Sequence, residues 1–286
     1  MDWLTLMNDA LDYIEDHLSI KVDYNQVARK AGCSVYNFQR MFSFISGVTL
    51  ATYIRRRCMT VAALELSRTS IGILELALKY GYDSPVSFAR AFQTVQGIAP
   101  QDVRKGCVPL QSYPRISFQI TLKGDVAMEY RIETMPAFKL MGASKLISTK
   151  DGKNFKEVPN FWEACCSDGT CTRIYSINGR EKEEMYGVCY GFDFPNEQFR
   201  YLIGAKVEEI LPEDVELLEV PELTWVKFTC KGMKQIQETF KKVYTEWFPS
   251  SGYEAAVGPE IEWYSTEDMT KPDYLCEVWL PIQPKN

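Results

Sequence analysis

Residues 26–47, QVARKAGCSVYNFQRMFSFISG, and residues 75–97, ELALKYGYDSPVSFARAFQTVQG, repeat one pattern within the first third of the chain. Six residues recur in order, two at a shift of 49 and, after one extra residue in the second turn, four at a shift of 50. Each copy predicts a helix, a tight turn at glycine and a second helix, since glycine supplies the backbone freedom that the turn needs. The matching pairs are Ala28 and Ala77, Gly32 and Gly81, Phe38 and Phe88, Arg40 and Arg90, Phe42 and Phe92, and Gly47 and Gly97.

Apolar residues at spacings of three and four predict two further helices in this half of the chain. One stripe runs from Trp3 to Leu18, on a helix that Asp2 could cap, and the other runs from Leu50 to Leu64. The second stripe marks a connecting helix over residues 49–67, which joins the two copies of the repeat. Residues 1–106 are therefore predicted to form an all-α domain with two helix-turn-helix motifs.

The second helix of the first copy buries its phenylalanines on one face, which leaves a polar face opposite. Asn and Gln side chains bind adenine and Arg binds guanine, so this face suits the major groove of DNA. One copy alone is equally typical of an ordinary helical hairpin, but two copies on a rigid connector, roughly 34 Å apart, favour DNA binding. The polar face carries Tyr36, Asn37, Gln39 and Arg40. Three basic residues early in the connector suit contacts to phosphate: Arg55, Arg56 and Arg57.

Residues 1–106 resemble the DNA-binding domain of the AraC/XylS family of bacterial transcription regulators. The resemblance is carried by the runs ARKAGCS from Ala28, FQRMF from Phe38, YIRRR from Tyr53, ALKYGY from Ala77 and SFARAF from Ser87, with Gly97 and Pro100. It implies base reading by Tyr36, Gln39 and Arg40 in the first motif. In the second motif it implies DNA contact by Ser84, Val86, Ser87 and Arg90. Pro85, Val86 and Ala89 depart from the usual polar pattern, so the second helix is expected to contribute backbone contact with little base discrimination.

The pattern of apolar residues changes after residue 106, from helical spacing to alternation. Residues 107–114, CVPLQSYP, contain two prolines and no periodicity, and are predicted to be a linker. Beyond it, alternating segments such as 115–122 and 186–190 predict strands, interrupted by helices over 155–166 and 233–248. Residues 115–286 are therefore predicted to form an α+β domain.

This second domain also repeats itself. The segment ETMPAFKL from Glu133 resembles EVPELTWV from Glu219, and each precedes a glycine and then a helix with a late tryptophan, Trp162 or Trp247. A glycine-containing strand and a strand that begins Tyr-Leu follow each helix. The pattern predicts a duplicated strand–helix–strand–strand unit, with a groove where the two copies meet.

Residues 115–286 resemble the GyrI-like effector-binding domain, through MEYRIE at 128–133, GPEIEWY at 258–264 and CEVWLPI at 276–282. The resemblance implies a groove that takes hydrophobic, often cationic, small molecules. Carboxylates beside aromatic faces attract such cations. The candidate groove residues are Glu262 and Tyr264 on one strand, Glu277 and Trp279 on the last strand, and Tyr190 and Phe192 on the opposite wall. The alternative interpretation is that these aromatics are core residues and the glutamates are solvated.

Several classes of protein are excluded by what the sequence lacks. No apolar run approaches the roughly 18 residues of a membrane span, and the acidic N-terminus is unlike a signal peptide. Nine cysteines without regular spacing are typical of reduced thiols in a cytoplasmic protein. Cys165, Cys166 and Cys171 lack the paired spacing of a zinc site, so no metal is predicted. His17 is the sole histidine, which argues against a Cys–His or Ser–His catalytic pair. No phosphate-binding glycine loop occurs, so no cofactor is predicted.

The charge is divided between the halves. Residues 1–105 carry 12 Lys/Arg and 10 Asp/Glu, a balance of +2, and the remainder carries 20 and 28, a balance of −8. The sequence thus predicts a cytoplasmic regulator whose partners are double-stranded promoter DNA, a small hydrophobic or cationic effector and RNA polymerase. Two alternatives stay open: a hydrolase of small electrophiles with Glu262 or Glu277 as general base, and a second domain that docks a protein.

Overall fold

The computed structural model describes residues 3–106, 108–119, 127–176, 184–208, 215–267, 271 and 273–285. The chain divides into two compact units. The first unit comprises Met1–Phe38 and Leu50–Leu122, and the second comprises Gln39–Thr49 and Lys123–Asn286. Within the described residues, no helix combines the length and the apolar character that a membrane crossing requires.

The first hundred residues are helical, as predicted, and the two repeats form helix pairs. Asp23 caps the first helix of copy one by accepting a 2.8 Å hydrogen bond from the Asn25 amide, and Gly32 ends it at φ +65°. Ser84 caps the second helix of copy two, and Gly97 ends it at φ +77°. The helices are α1 (Trp3–Asp16), α2 (Tyr24–Ala31), α3 (Val35–Ser46), α4 (Leu50–Arg68), α5 (Ile73–Lys79) and α6 (Pro85–Gln96), followed by a 3₁₀ turn (Pro100–Lys105).

The predicted linker and the strand after it differ from the structure. The described part of residues 107–122 has no strand and belongs to the first unit. Asn8 accepts a 3.0 Å hydrogen bond from the Phe118 amide, and Gln96 accepts one of 2.8 Å from the Gln111 amide. The alternating apolar residues that predicted a strand here instead place Phe118 in the apolar interior of the helical unit. Residues 120–122 lie outside the described residues.

In the part of the chain that the structure describes, the second unit is built on a nine-stranded antiparallel sheet. Its helices are α7 (Asn154–Ser167), α8 (Thr170–Tyr175) and α9 (Gln235–Lys242), the last continued by a π turn (Val243–Trp247) and the short α10 (Phe248–Ser250). Its strands are β1 (Tyr130–Met135), β2 (Phe138–Ser148), β3 (Met185–Asp193), β4 (Gln198–Val207), β5 (Glu216–Val220), β6 (Leu223–Lys231), β7 (Tyr253–Ala255), β8 (Glu260–Tyr264) and β9 (Leu275–Pro284).

The strand order confirms the predicted duplication. The main path is β1-β6-β9-β8-β3-β4-β2-β5, with β7 paired to β9 off this path. The corresponding strands of the two copies are β1 and β5, β2 and β6, β3 and β8, and β4 and β9. Exchanging each strand for its counterpart gives the same path read in reverse. The two copies therefore meet at β3 and β8, around an approximate twofold axis. Each copy also has an extra first strand that the sequence pattern did not separate, and this strand pairs with the other copy.

The register divides the sheet into two faces, because directly opposed residues of neighbouring strands lie on the same side. Glu262 is paired with Gly187 and with Val278, whereas Trp263 is paired with Tyr186 and with Glu277. Helices α7 and α9 lie over the face that carries Glu262. We call this the cavity face, and we call the other side the opposite face.

Candidate functional site

A cavity of about 400 Å³ opens on the cavity face, within the second unit. Its walls come from α7, α9 and the second half of α3, and its floor comes from β3, β4 and β8. Most of the lining is apolar or aromatic, with two carboxylates at the floor. The aromatic lining residues are Phe44, Phe155, Trp162, Phe192, Phe194, Phe199, Tyr201, Phe240 and Tyr264, and the carboxylates are Glu260 and Glu262 on the floor and Asp193 at the end of β3. This combination of apolar walls and few polar groups is typical of a small-molecule site.

Glu262 is held at the floor by two phenols. The hydroxyls of Tyr201 and Tyr264 donate to its Oε2 at 2.7 and 2.9 Å. Tyr201 is positioned in turn by Trp162, whose indole Nε1 donates to the Tyr201 hydroxyl at 2.9 Å, and Trp162 packs edge-on against Tyr264. Among the described residues no cationic side chain pairs with Glu262. Its carboxylate is therefore available to a cation that enters the cavity.

Burial governs the protonation of this group. Loss of solvent raises the pKa of Glu262 above its usual range, the two phenol hydrogen bonds partly offset this rise, and nearby Glu260 adds to it. The same burial, with the neighbouring carboxylate, holds the pKa values of Tyr201 and Tyr264 well above 10. Both phenols therefore stay neutral donors to Glu262, whose carboxyl group becomes charged at a higher pH than that of a solvated glutamate.

The second carboxylate, Glu260, is already paired. The Arg40 guanidinium binds it with both nitrogens of its fork, Nε to Oε1 at 2.7 Å and Nη2 to Oε2, and the Tyr244 hydroxyl donates to Oε1 at 3.2 Å. The carbon of the guanidinium lies 4.2 Å from the Phe192 ring centre and 4.8 Å from that of Phe44. The cavity thus already contains one cation held by a carboxylate and two aromatic faces.

Three of the six predicted groove residues line this cavity, namely Phe192, Glu262 and Tyr264. Tyr190 does not, although alternation places it on the same side of β3 as Phe192. The ladder between β3 and β4 shifts after Tyr190, where Gly191 adopts φ +59°. This bulge turns Phe192 toward the cavity and leaves Tyr190 on the opposite face, where its hydroxyl donates to Glu216 at 2.5 Å.

Glu277 and Trp279, the two candidate groove residues of the last strand, also lie outside this cavity. Glu277 is paired with Trp263 across the ladder, which places it on the opposite face. There it accepts hydrogen bonds from Arg131 at 2.7 and 2.9 Å and from the Trp279 indole at 2.7 Å. Both oxygens of the Glu277 carboxylate therefore already accept hydrogen bonds from neighbouring side chains of the sheet.

The sequence interpretation missed Glu260, Tyr201 and Trp162 as site residues. Each had a signal: Glu260 alternates with Glu262 along β8, Tyr201 opens a repeated Tyr-Leu strand, and Trp162 occupies a repeated helical position. The sequence does not give the register between neighbouring strands, and this register decides which side chains lie together on the cavity face.

The predicted DNA-contact residues divide into exposed and buried sets. On α6, Val86, Ser87 and Arg90 are exposed, and Ser84 accepts a 3.1 Å hydrogen bond from the Ser87 amide as the helix cap. On α3, by contrast, the predicted polar face is buried, and Tyr36 is half-buried. The buried residues are Asn37, Gln39 and Arg40, with 5%, 5% and 8% of their surface exposed.

The three connector arginines, which the sequence predicts to suit phosphate contacts, each have a partner inside the first unit. Arg57 donates to Glu15 through Nε and Nη2, at 2.9 and 2.7 Å, and through Nη1 to the Tyr113 carbonyl at 2.6 Å. Arg56 lies over the Tyr113 ring at 4.9 Å, and Arg55 donates to the Thr52 hydroxyl at 3.1 Å. Arg57 in particular serves the packing of the first unit.

Metal binding finds no support among the described side chains, where no group of three His, Cys, Asp or Glu residues could hold an ion. Cys166 and Cys171 lie 3.1 Å apart between sulfurs, at the turn from α7 to α8. Burial raises the pKa of Cys171 to about 12.

Comparison with known proteins identifies two regions of similarity. Residues 128–283 match the GyrI-like small molecule binding domain, and residues 27–106 match a helix-turn-helix domain. Transcriptional regulator Rob of Salmonella typhimurium is 27% identical over 302 residues, which cover 99% of this chain and all of that protein. The Transposon Tn10 TetD protein of Escherichia coli is 45% identical over 101 residues, 35% of this chain and 73% of that protein.

A solved structure of SAV2435 bound to tetraphenylphosphonium is 18% identical, with a TM-score of 0.49. The alignment covers 55% of this chain and 94% of that one. The two domain matches agree with the resemblances drawn from the sequence motifs of each half.

Proposed function

Because this chain belongs to the family of GyrI-like small molecule binding domains and also carries an AraC-type helix-turn-helix domain, we propose that it is a transcription regulator that senses a lipophilic cation. The observation that carries the proposal is Glu262, a buried carboxylate with two phenol donors and no cationic partner among the described residues. The rest of the cavity is apolar and aromatic.

The chemistry of the cavity favours a cation over a neutral or anionic effector. An anion would meet two carboxylates, and a neutral ligand would leave Glu262 without a counter-charge. A cation meets the negative carboxylate and the faces of aromatic rings, each of which contributes about 0.5–2 kcal/mol when water is excluded. The ligand must also be largely apolar, because its body would contact Trp162, Phe240 and Tyr264. A cavity of about 400 Å³ suits a molecule of drug size.

DNA binding is assigned to the helix-turn-helix domain. Exposed Ser87 and Arg90 on α6 support contact with the phosphate backbone, and exposed Val86 supports an apolar contact in the groove. Base reading by α3 is proposed for Tyr36, Gln39 and Arg40, as the family resemblance implies, and it requires the buried Gln39 and Arg40 to become exposed. Rob, a relative over nearly the whole chain, is named as a transcriptional regulator, which supports the same activity here. RNA polymerase as a further partner rests on the family resemblance.

The effector proposal is tested by calorimetric titration of the full chain. The probes are phenyltrimethylammonium and tert-butylbenzene, which have the same shape and differ in charge. We expect saturable binding that favours the ammonium ion. Glu262→Gln should weaken the ammonium at least tenfold, since it removes an interaction of about 1.4 kcal/mol or more, and should leave the neutral probe unaffected. Glu222→Gln, an exposed carboxylate distant in sequence, is the matched control. Equal binding of the two probes would contradict the proposal.

A further inference from the structure

Arg40 is bound in the cavity in the way that a cationic effector would be bound. Its guanidinium forms a fork-to-carboxylate pair with Glu260, and the two side chains are only 9% and 1% exposed. The rings of Phe192 and Phe44 lie within the roughly 6 Å at which cation–π attraction acts. Phe44 is stacked in turn on Phe240, with ring centres 5.2 Å apart and planes within 6°.

The two carboxylates on the floor are close enough for a charge at one of them to affect binding at the other. Glu260 and Glu262 lie two residues apart on the same face of β8, about 7 Å apart along the strand. A second positive charge placed at Glu262 would lie close to the guanidinium of Arg40. Like charges in a water-poor cavity repel strongly, because little solvent is present to screen them. A cation that contacts Glu260 and the rings of Phe192 and Phe44 must take the place that the Arg40 guanidinium occupies.

We infer that Arg40 is the resident cation of this cavity and that a cationic effector competes with it, an inference that rests on the proposed function. The effector brings its own charge to the carboxylates and its own apolar surface to the rings. Arg40 is then released from Glu260. In this competition only the Arg40 side chain has to move, and the backbone of the second unit can stay as it is.

The released residue is one of the three that the family resemblance assigns to base reading. While the Arg40 guanidinium holds Glu260 with both nitrogens, those same donors cannot contact guanine. Effector binding frees them, so an occupied cavity raises the affinity for DNA. Because linkage between two sites is reciprocal, specific DNA must raise the affinity for the effector by the same factor.

The test compares Arg40→Gln and Arg40→Lys with the wild-type full chain, using the same ammonium and neutral probes. Glutamine removes the charge of the resident group, so Arg40→Gln should bind phenyltrimethylammonium about tenfold more tightly. Lysine keeps the charge, so Arg40→Lys should stay close to wild type. The affinity for tert-butylbenzene should be the same in all three proteins. A tenfold gain for both probes would show that the substitution only enlarges the cavity, and it would overturn the inference.

Two outcomes of these titrations separate this inference from the proposed function. If neither probe binds any of the three proteins, both fail. If the ammonium binds wild type and Arg40→Gln with equal affinity, the proposed function stands and the competition is wrong. Thermal unfolding of each variant verifies that it is folded, and if Arg40→Gln is not folded, the arginine signal of the wild-type protein decides the competition.

A spectroscopic readout follows the resident cation directly. In protein labelled with ¹⁵N-arginine, the Nε–H signal that disappears in Arg40→Lys belongs to Arg40. Saturating phenyltrimethylammonium should move this signal toward the position of a solvated arginine. A signal that keeps its position at full occupancy would show that Arg40 stays on Glu260, and would overturn the inference.

Discussion

Gly187 of β3 lies directly across the ladder from Glu262 of β8, and the missing side chain at Gly187 leaves the space in which Tyr201 reaches that carboxylate. A Cβ at this glycine would lie 2.2 Å from the Tyr201 hydroxyl and 3.0 Å from Oε2 of Glu262. The backbone of Gly187 is ordinary strand, so the requirement is for space and not for a special conformation. The absence of a side chain at Gly187 therefore makes room for the Tyr201 hydroxyl that stabilises the buried carboxylate of Glu262.

Gly187→Ala should weaken both the fold and the site. The added methyl group must displace Tyr201, which is fully buried, and overpacking of this kind costs about 1–3 kcal/mol of unfolding free energy. Binding of phenyltrimethylammonium should weaken as well, because Glu262 loses a donor. Urea unfolding and calorimetry measure the two effects. Gly72→Ala, where a Cβ meets nothing within 4 Å, is the control and should change neither.

Cation affinity should rise as the pH rises through the raised pKa of Glu262. Burial raises the pKa of Glu262, so at the acidic end a larger share of this group is protonated and carries no charge. The neighbouring Tyr201, Tyr264 and Cys189 have pKa values raised well above their usual ranges and stay neutral throughout. Titrations with phenyltrimethylammonium at several pH values measure the slope. Glu262→Gln should flatten it, and an unchanged slope in this variant would assign the titration to another group.

The same carboxyl should affect the stability of the ligand-free protein in the opposite direction. A group whose folded pKa is raised favours the folded state when it is protonated. The contribution of Glu262 is therefore fully present below its unfolded pKa, about 4.3, and is lost as the pH rises through the higher folded value. The unfolding free energy of wild type, measured against that of Glu262→Gln, should fall over this interval. A difference that stays constant with pH would contradict the assignment.

Arg57→Ala should destabilise the helical unit. The substitution leaves Glu15 without its cation and the Tyr113 carbonyl without its donor, and because this ion pair is half-buried its loss should cost less than the roughly 3–5 kcal/mol of a fully buried pair. The hydrogen bond to Glu15 raises the pKa of Arg57, which shows that the folded protein favours its charged form. Thermal unfolding checks this prediction. Arg90→Ala, at an exposed position, should leave the melting temperature unchanged.

The same Arg90→Ala variant should show a defect in DNA binding. An exposed arginine on α6 that contacts phosphate neutralises one charge, so its removal should reduce the slope of log affinity against log salt by about 1. Fluorescence anisotropy with a duplex of arbitrary sequence, at several salt concentrations, gives the slope. A slope equal to that of wild type would place Arg90 outside the contact surface.

The architecture was predictable where its signals are local. Glycine turns, caps such as Ser84 and paired phenylalanines specify each helix-turn-helix motif within about 20 residues. The duplication of the second unit was likewise visible, because corresponding helices carry tryptophans at matching positions. The exchange of first strands between the copies was not visible, since β1 pairs with β6 at a distance of nearly 100 residues.

The site was predictable only in part. Alternation along β8 and along β9 gives two faces for each strand, but it does not say which face of one strand joins which face of the other. That choice put Glu277 with Trp263 and away from Glu262. The bulge at Gly191 separated Phe192 from Tyr190, and a bulge depends on a single backbone conformation. The pairing of Arg40 with Glu260 joins residues 220 positions apart, and no local pattern reports it.

The division of β8 between two faces has an evolutionary consequence. Glu260, Glu262 and Tyr264 face the cavity, while Ile261 and Trp263 hold the seam where the two repeats meet. Along residues 260–264, selection for a new effector therefore acts on one set of alternate residues. Selection for an intact sheet acts on the other set. A lineage can change its chemical specificity by substitutions at every second position and inherit the scaffold unchanged.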